Sequence, residues 1–209
     1  MILYSVSYLG DAMDHPQNGP LTGVGSRTTK CQMPSRSQLS AGAYDLLSCL
    51  LQETTGILNS EWQFSKDQMG KPHAFTKHSD CLPEVSVSHS GCWVGAAVSR
   101  IGAVGIDIER IRPGRDVRGL ADLAFGKAER VAVERSGDDA FYRIWTLREA
   151  MAKAIGAGLS MVADRQDRVP VIPTTGPWMT VMDGRRWLLM HRRPADALHL
   201  AVAVAVAAA

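Results

Sequence analysis

Asp107 and Glu109 stand two residues apart in Val104-Gly105-Ile106-Asp107-Ile108-Glu109, and Glu149 and Lys153 stand four apart later in the chain. With a period of two, the first stretch is a strand that puts Val104, Ile106 and Ile108 on one face and Gly105, Asp107 and Glu109 on the other. Two neighbouring carboxylates beside a glycine make half of a hard-cation site. The spacing of four places Glu149 and Lys153 on one face of a helix, where they could add a third carboxylate and a fixed positive charge. Plainer readings use the same residues: a strand showing its polar face to water, and an exposed helical ion pair worth ~0.3–0.5 kcal/mol.

The elements that must carry these groups follow from pattern. Ile2, Tyr4, Val6 and Tyr8 alternate as an opening strand. Gly10 to Pro34 has no periodicity and reads as a long loop. Ser37 is a candidate cap for a helix with Leu39, Ala43, Leu46, Leu47, Leu50 and Leu51 on its buried stripe, ending before Gly56. Trp62–Phe64 is a short strand before a Gly70-Lys71-Pro72 turn. Val85–Val87 and Cys92–Val98 pair around a Ser88-His89-Ser90-Gly91 bend. Past the central strand, Ile111–Arg118 is a loop and Leu120–Ser136 an interrupted helix. Asp138 or Asp139 caps a stronger helix with Phe141, Ile144, Trp145, Met151, Ala154 and Ile155 inward, closed by Gly156 and Gly158. Met179–Val181 and Trp187–Met190 form a hairpin about Asp183-Gly184, and Leu198–Val206 is a final buried strand.

Size and charge narrow the class. The 209 residues suffice for one domain or two small fused ones. A net charge of +2 is too small for general attraction to nucleic acid or membranes, so a bound anion needs a local basic cluster. Cys31, Cys49, Cys81 and Cys92 show neither C-x-x-C nor zinc-like spacing, which points to free thiols in a reducing cytoplasm. Met1-Ile2-Leu3-Tyr4 lacks a signal-peptide start, and the apolar C-terminal run is shorter than the ~20 residues a bilayer span requires.

Taken together, Gly105-Ile106-Asp107-Ile108-Glu109 and Trp145-Thr146-Leu147-Arg148-Glu149-Ala150-Met151-Ala152-Lys153-Ala154-Ile155-Gly156-Ala157-Gly158-Leu159 resemble the signature of the 4'-phosphopantetheinyl transferase superfamily. That signature reads G-x-D-x-E, then W-S/T-x-K-E-A/S-x-x-K-x-x-G-x-G-L. Gly70-Lys71-Pro72 and Val87-Ser88-His89-Ser90-Gly91-Cys92-Trp93 match two further family motifs in order. The chain length is similar to the long, surfactin-synthetase-activating and enterobactin-synthetase type, not to the short trimeric synthases.

The resemblance implies an α+β fold of two similar α/β halves, each a small antiparallel sheet packed with a long helix, related by pseudo-twofold symmetry. The expected division is residues 1–102 and 103–209, with the metal site in the second half and the active site at their interface. The implied reaction moves the 4'-phosphopantetheine arm of coenzyme A to a serine of an acyl or peptidyl carrier protein, releasing 3',5'-ADP. Mg2+, or Mn2+ in its place, would be held by Asp107, Glu109 and Glu149, with Lys153 beside the transferred phosphate. Glu149 is also the residue the family proposes as base. Lys71 would contact the nucleotide end of coenzyme A, and Ser88 and His89 the phosphates or adenine. Lys30 and Arg36 are the local candidates for the 3'-phosphate. Arg112, Arg115 and Arg118 are candidate carrier contacts, Trp93 is expected in the core, and Glu129 supplies half a capping box that Gly126 cannot complete. Arg148 departs from the family's lysine, which would alter any phosphate contact there. A cytoplasmic monomer is expected, serving peptide, polyketide, siderophore or fatty-acid assembly. The alternatives are a homologue that binds coenzyme A or carrier without transfer, and a phosphohydrolase, for which no water-activating base stands out.

Overall fold

Alternating apolar residues build strands whose apolar faces meet, and two helices cover the outer faces. In the computed structural model, residues 1–9, 33–158, 169, 177–182 and 184–206 are described. Lys30, Cys31, Asp183, Leu159 and most of the long early loop lie outside them. The order is β1 (Ile2–Tyr8), α1 (Arg36–Thr55), a 3-10 turn (Asn59–Glu61), β2 (Gln63–Lys66), β3 (Pro72–Phe75), β4 (Glu84–Ser90) and β5 (Trp93–Ser99). There follow β6 (Val104–Arg110), α2 (Val117–Ala124), α3 (Lys127–Ile155), β7 (Pro177–Met182), β8 (Arg185–Ala195) and β9 (Leu198–Val206). The molecule is thus α+β with small antiparallel sheets.

One sheet has the order β1-β5-β4 and the other β6-β9-β8-β7, while β2 and β3 pair separately. Leu47, Leu50 and Leu51 of α1 pack on Val85, Ala96 and Val98. Ile106, Ile108, Val202 and Val204 fill the layer between the sheets, with Ile2, Tyr4 and Val6 against them. Phe141, Ile144, Leu147 and Met151 of α3 cover Trp187, Leu189, Ala201 and Ala203 on the far face. Small residues let α3 lie close. A Cβ on Gly105 would stand 1.9 Å from the Ala150 carbonyl oxygen, so glycine here admits the helix backbone.

Local capping shifts several boundaries from those the pattern predicts. Ser35, not Ser37, caps α1: its hydroxyl accepts the Gln38 N–H at 3.3 Å, and Gln38 accepts the Ser35 N–H at 2.8 Å. The Asp116 carboxylate accepts the Gly119 N–H at 2.9 Å and starts α2 inside the stretch read as loop. The helical region after it breaks at Phe125-Gly126, and α3 runs on to Ile155 with non-helical dihedrals at Gly137 (φ 55°, ψ −135°). Two helical runs meet at this glycine, and the second starts beside Asp138 and Asp139, where the pattern places the stronger helix. Strand β4 continues through Ser88-His89-Ser90, and the bend falls on Gly91 (φ 61°) and Cys92. Trp93 is half-buried against Tyr8, with ring centroids 5.0 Å apart.

Candidate active site

β4 keeps its extra length through its ladder to β5, which runs on through Ser88↔Gly95, His89↔Val94 and Ser90↔Trp93. The free edge of β6 lies along β4, and Ser86, Ser88 and Ser90 accept the N–H groups of Ile106, Ile108 and Arg110 at 3.1, 3.2 and 3.0 Å. Hydroxyls therefore stitch the two sheets where no backbone ladder forms, at ~1 kcal/mol each. The odd-numbered face of β6 then turns Asp107 and Glu109 toward α3.

Asp107 is 4% exposed. Its Oδ1 accepts from Lys153 Nζ at 2.7 Å and from Ser88 Oγ at 3.0 Å. Lys153 Nζ also donates to Ser88 Oγ at 2.9 Å and to the Ile106 carbonyl at 3.2 Å. The lysine thus reaches across to the strand, where simple helical spacing would have paired it with Glu149. Asp107 Oδ2 is buried with no hydrogen-bond partner. Burial raises the Asp107 pKa, with Lys153 and Ser88 working against it. Glu109 is raised by burial and then by Asp107, while Arg115, Arg112 and Ser90 lower it. Glu149 is pushed up to about 7, first by burial and then by Asp107, with Glu109 adding and Lys153 opposing.

Asp107, Glu109, Glu149 and Lys153 line one cavity of about 300 Å³ together with Ser88 and His89. Among the described residues, no three His, Cys, Asp or Glu side chains already stand gathered as a metal cage. The donor set nevertheless suits a hard divalent cation: carboxylates share the cavity, and one of their oxygens is buried and unpaired.

Other expected residues fall around it. Lys71 Nζ donates to Glu84 at 2.9 Å and to the Ala154 carbonyl at 2.8 Å, clasping the β2–β3 turn onto the C-terminal end of α3. It lines an adjoining cavity of about 250 Å³ with Met69, Glu149, Lys153, Gly156 and Gly158. His89 is held below its ordinary pKa by lost solvation, then by Lys153 and Arg36, so Arg36 at the start of α1 belongs to the same field. Tyr44 and Lys66 also line the central cavity, with the Lys66 ammonium 5.8 Å from the Tyr44 ring centroid. No spacing rule pointed to either.

One expectation gives way. Arg148 does not face phosphate. It is 1% exposed, forms an ion pair with Glu129, donates to the Ala124 carbonyl at 2.9 Å and lies 4.9 Å from the Phe125 ring centroid. Glu129, equally buried, also accepts the Gly126 N–H at 3.0 Å and the Val169 N–H at 3.1 Å, so it serves as the hub of the α2–α3 junction. Arg115 is half-buried, with its guanidinium 5.4 to 5.7 Å from the Phe141, Tyr142 and Trp145 ring centroids. Arg112 and Arg118 are exposed.

Comparison with known proteins now bears on this geometry. Residues 103–203, which carry β6 and α3, match the 4'-phosphopantetheinyl transferase superfamily. The 4'-phosphopantetheinyl transferase HetI of Nostoc sp. is 26% identical over 184 residues, covering 86% of this chain and 76% of the relative. Both comparisons point to the 4'-phosphopantetheinyl transferase superfamily. The 4'-phosphopantetheinyl transferase AcpT of Escherichia coli O157:H7 is 35% identical over 136 residues (63% of this chain, 64% of the relative). Sfp of Bacillus subtilis is 32% identical over 114 residues, or 50% of this chain and 46% of the relative. The alignments thus span about three quarters of the first relative and smaller parts of the other two. Arg148, paired with Glu129, stands where the superfamily signature has lysine before the glutamate.

Proposed function

We propose that the chain transfers the 4'-phosphopantetheine arm of coenzyme A to a serine hydroxyl of a carrier protein. The observation that carries this reading is the convergence of Asp107, Glu109, Glu149 and Lys153 on one cavity at the β4–β6 seam. In the reaction, the serine oxygen attacks the phosphorus that bears pantetheine. The bond from that phosphorus to the bridging oxygen breaks, and 3',5'-ADP leaves with the electron pair. Asp107, Glu109 and Glu149 would hold Mg2+ or Mn2+, which when bound neutralises charge on the pyrophosphate. Lys153, anchored on Ser88 and Asp107, presents a fixed positive charge to the transferred phosphate. Glu149 would also take the serine proton; the pKa of about 7 that burial and then Asp107 give it belongs to the metal-free site. Lys71 lines the adjoining cavity, where it would meet the nucleotide end of coenzyme A, and His89 and Arg36 would supply polar and basic character beside the central one.

The division at residue 102 and the pseudo-twofold relation of the halves belong to the same proposal. Each half places its last strand between its first and penultimate strands, all antiparallel, with one long helix outside; this order supports the relation. No helix among the described residues is long and apolar enough to cross a membrane. The described cysteines Cys49, Cys81 and Cys92 are free, which suits a reducing compartment. We place the enzyme in the cytoplasm as a monomer. The test is release of 3',5'-ADP from coenzyme A with Mg2+. It should require an apo carrier and stop when the carrier's acceptor serine is alanine. Release without a carrier would instead indicate a hydrolase.

A further inference from the structure

Three serines of β4 make the same backbone contact, yet only two face a carboxylate. Ser86 accepts the Ile106 N–H opposite Gly105, which has no side chain to meet it. Ser88 gives its hydrogen to Asp107. Ser90, 6% exposed, accepts the Arg110 N–H at 3.0 Å and aims its hydrogen at Glu109 Oε2, 3.3 Å away. A hydroxyl has one hydrogen to donate, and the backbone contact fixes where this one points. Glu109 has competing attractions, because Arg112 and Arg115 act on its charge from the loop beyond β6. Left untied, a glutamate with this much rotamer freedom would swing toward the guanidinium groups.

We infer that Ser90 is a positioning residue that keeps Glu109 turned into the shared cavity, where it can ligate a divalent cation. The inference rests on the metal reading above. Partners that orient metal ligands commonly contribute 10- to 100-fold in metal affinity, and the long contact places Ser90 at the lower end, at about tenfold.

The β4 serines provide their own control. Mn2+ binding to the full chain, with coenzyme A present and no carrier, can be followed by electron paramagnetic resonance in wild type, Ser90→Ala, Ser86→Ala and Ser90→Thr. Both alanine variants lose one stitch and should fall similarly in melting temperature. Only Ser90→Ala should weaken Mn2+, by about tenfold, and Ser90→Thr should restore it. Equal Mn2+ affinity in the two alanine variants would overturn the inference alone. A wild-type chain that binds no Mn2+ would overturn the metal reading along with it.

Discussion

Lys153 Nζ lies 2.7 Å from Asp107 Oδ1, while Asp107 Oδ2 stays buried with no hydrogen-bond partner. Lys153 is the cation acting on Asp107 and Glu149, while Arg115 and Arg112 act on Glu109 alone, so the Asp107–Glu149 pair carries negative charge in excess. Burial makes that excess costly. A divalent cation would offset it, and so would protonation of Glu149.

The Glu149 carboxyl therefore makes stability depend on pH. Its pKa is raised from an ordinary 4.5 to about 7. The unfolded chain gives up this proton first, so the group's contribution to stability falls as pH rises through that window and stays low above it. In metal-free protein, Glu149→Gln should be more stable than wild type at pH 8, by ~1–2 kcal/mol after solvent screening. The gap should close near pH 4.5, the ordinary value. Urea midpoints at the two pH values measure it, and transfer should be lost in the same variant.

The buried histidines work in the opposite direction. His191 Nε2 and His199 Nδ1 are 3.1 Å apart, and burial depresses the two pKa values to about 3 and about 4 from 6.5. The unfolded chain takes up protons first as pH falls, so stability drops between about 6.5 and about 3. His199→Phe, which keeps a ring against Tyr142, should flatten this acid limb in urea titrations.

Arg148 and Glu129 are both fully buried, so removing the cation alone strands a carboxylate. Arg148→Met should cost ~3–5 kcal/mol in denaturant unfolding, and adding Glu129→Leu should recover part of it. Arg148→Lys loses the two-pronged contact and should cost ~1–3 kcal/mol. In each folded variant, coenzyme A affinity should stay at the wild-type level. A selective loss of that affinity would restore the phosphate-contact reading.

Gly105→Ala drives a Cβ into the α3 backbone at Ala150 and Ala154. Repulsion of the helix should lower stability by about 3 kcal/mol and shift Glu149 and Lys153 away from Asp107. Calorimetry and transfer assays of the folded fraction check both effects.

These residues mark what a sequence can and cannot convey. The strand patterns of Ile2–Tyr8 and Val104–Arg110, the α1 stripe, and Gly56 and Gly156 as helix ends were legible, because burial and backbone freedom act locally. Spacing put Asp107 and Glu109 on one strand face and Glu149 and Lys153 on one helix face, but it was the family resemblance that singled them out as a candidate site. The β4–β6 seam was not legible, because side-chain hydroxyls replace the ladder that strand patterns encode. Ser88-His89-Ser90 consequently read as a bend. Arg148 was misread because its partner, Glu129, is distant in sequence and its direction depends on packing at the α2–α3 junction. Gly105 was read as clearing space for a cation, whereas its nearest neighbour is a helix backbone. In hindsight, Ser86-x-Ser88-x-Ser90 matching the period of Gly105-x-Asp107-x-Glu109 is the signal that could have shown the seam.

The most direct measurement is the intact mass of an apo carrier domain after incubation with the protein, coenzyme A and Mg2+. The carrier should gain one phosphopantetheine with wild type and almost none with Asp107→Asn or with excess EDTA. An unchanged carrier mass across several carrier types, with folded wild-type protein that still binds coenzyme A, would contradict transfer and leave a binding protein in its place.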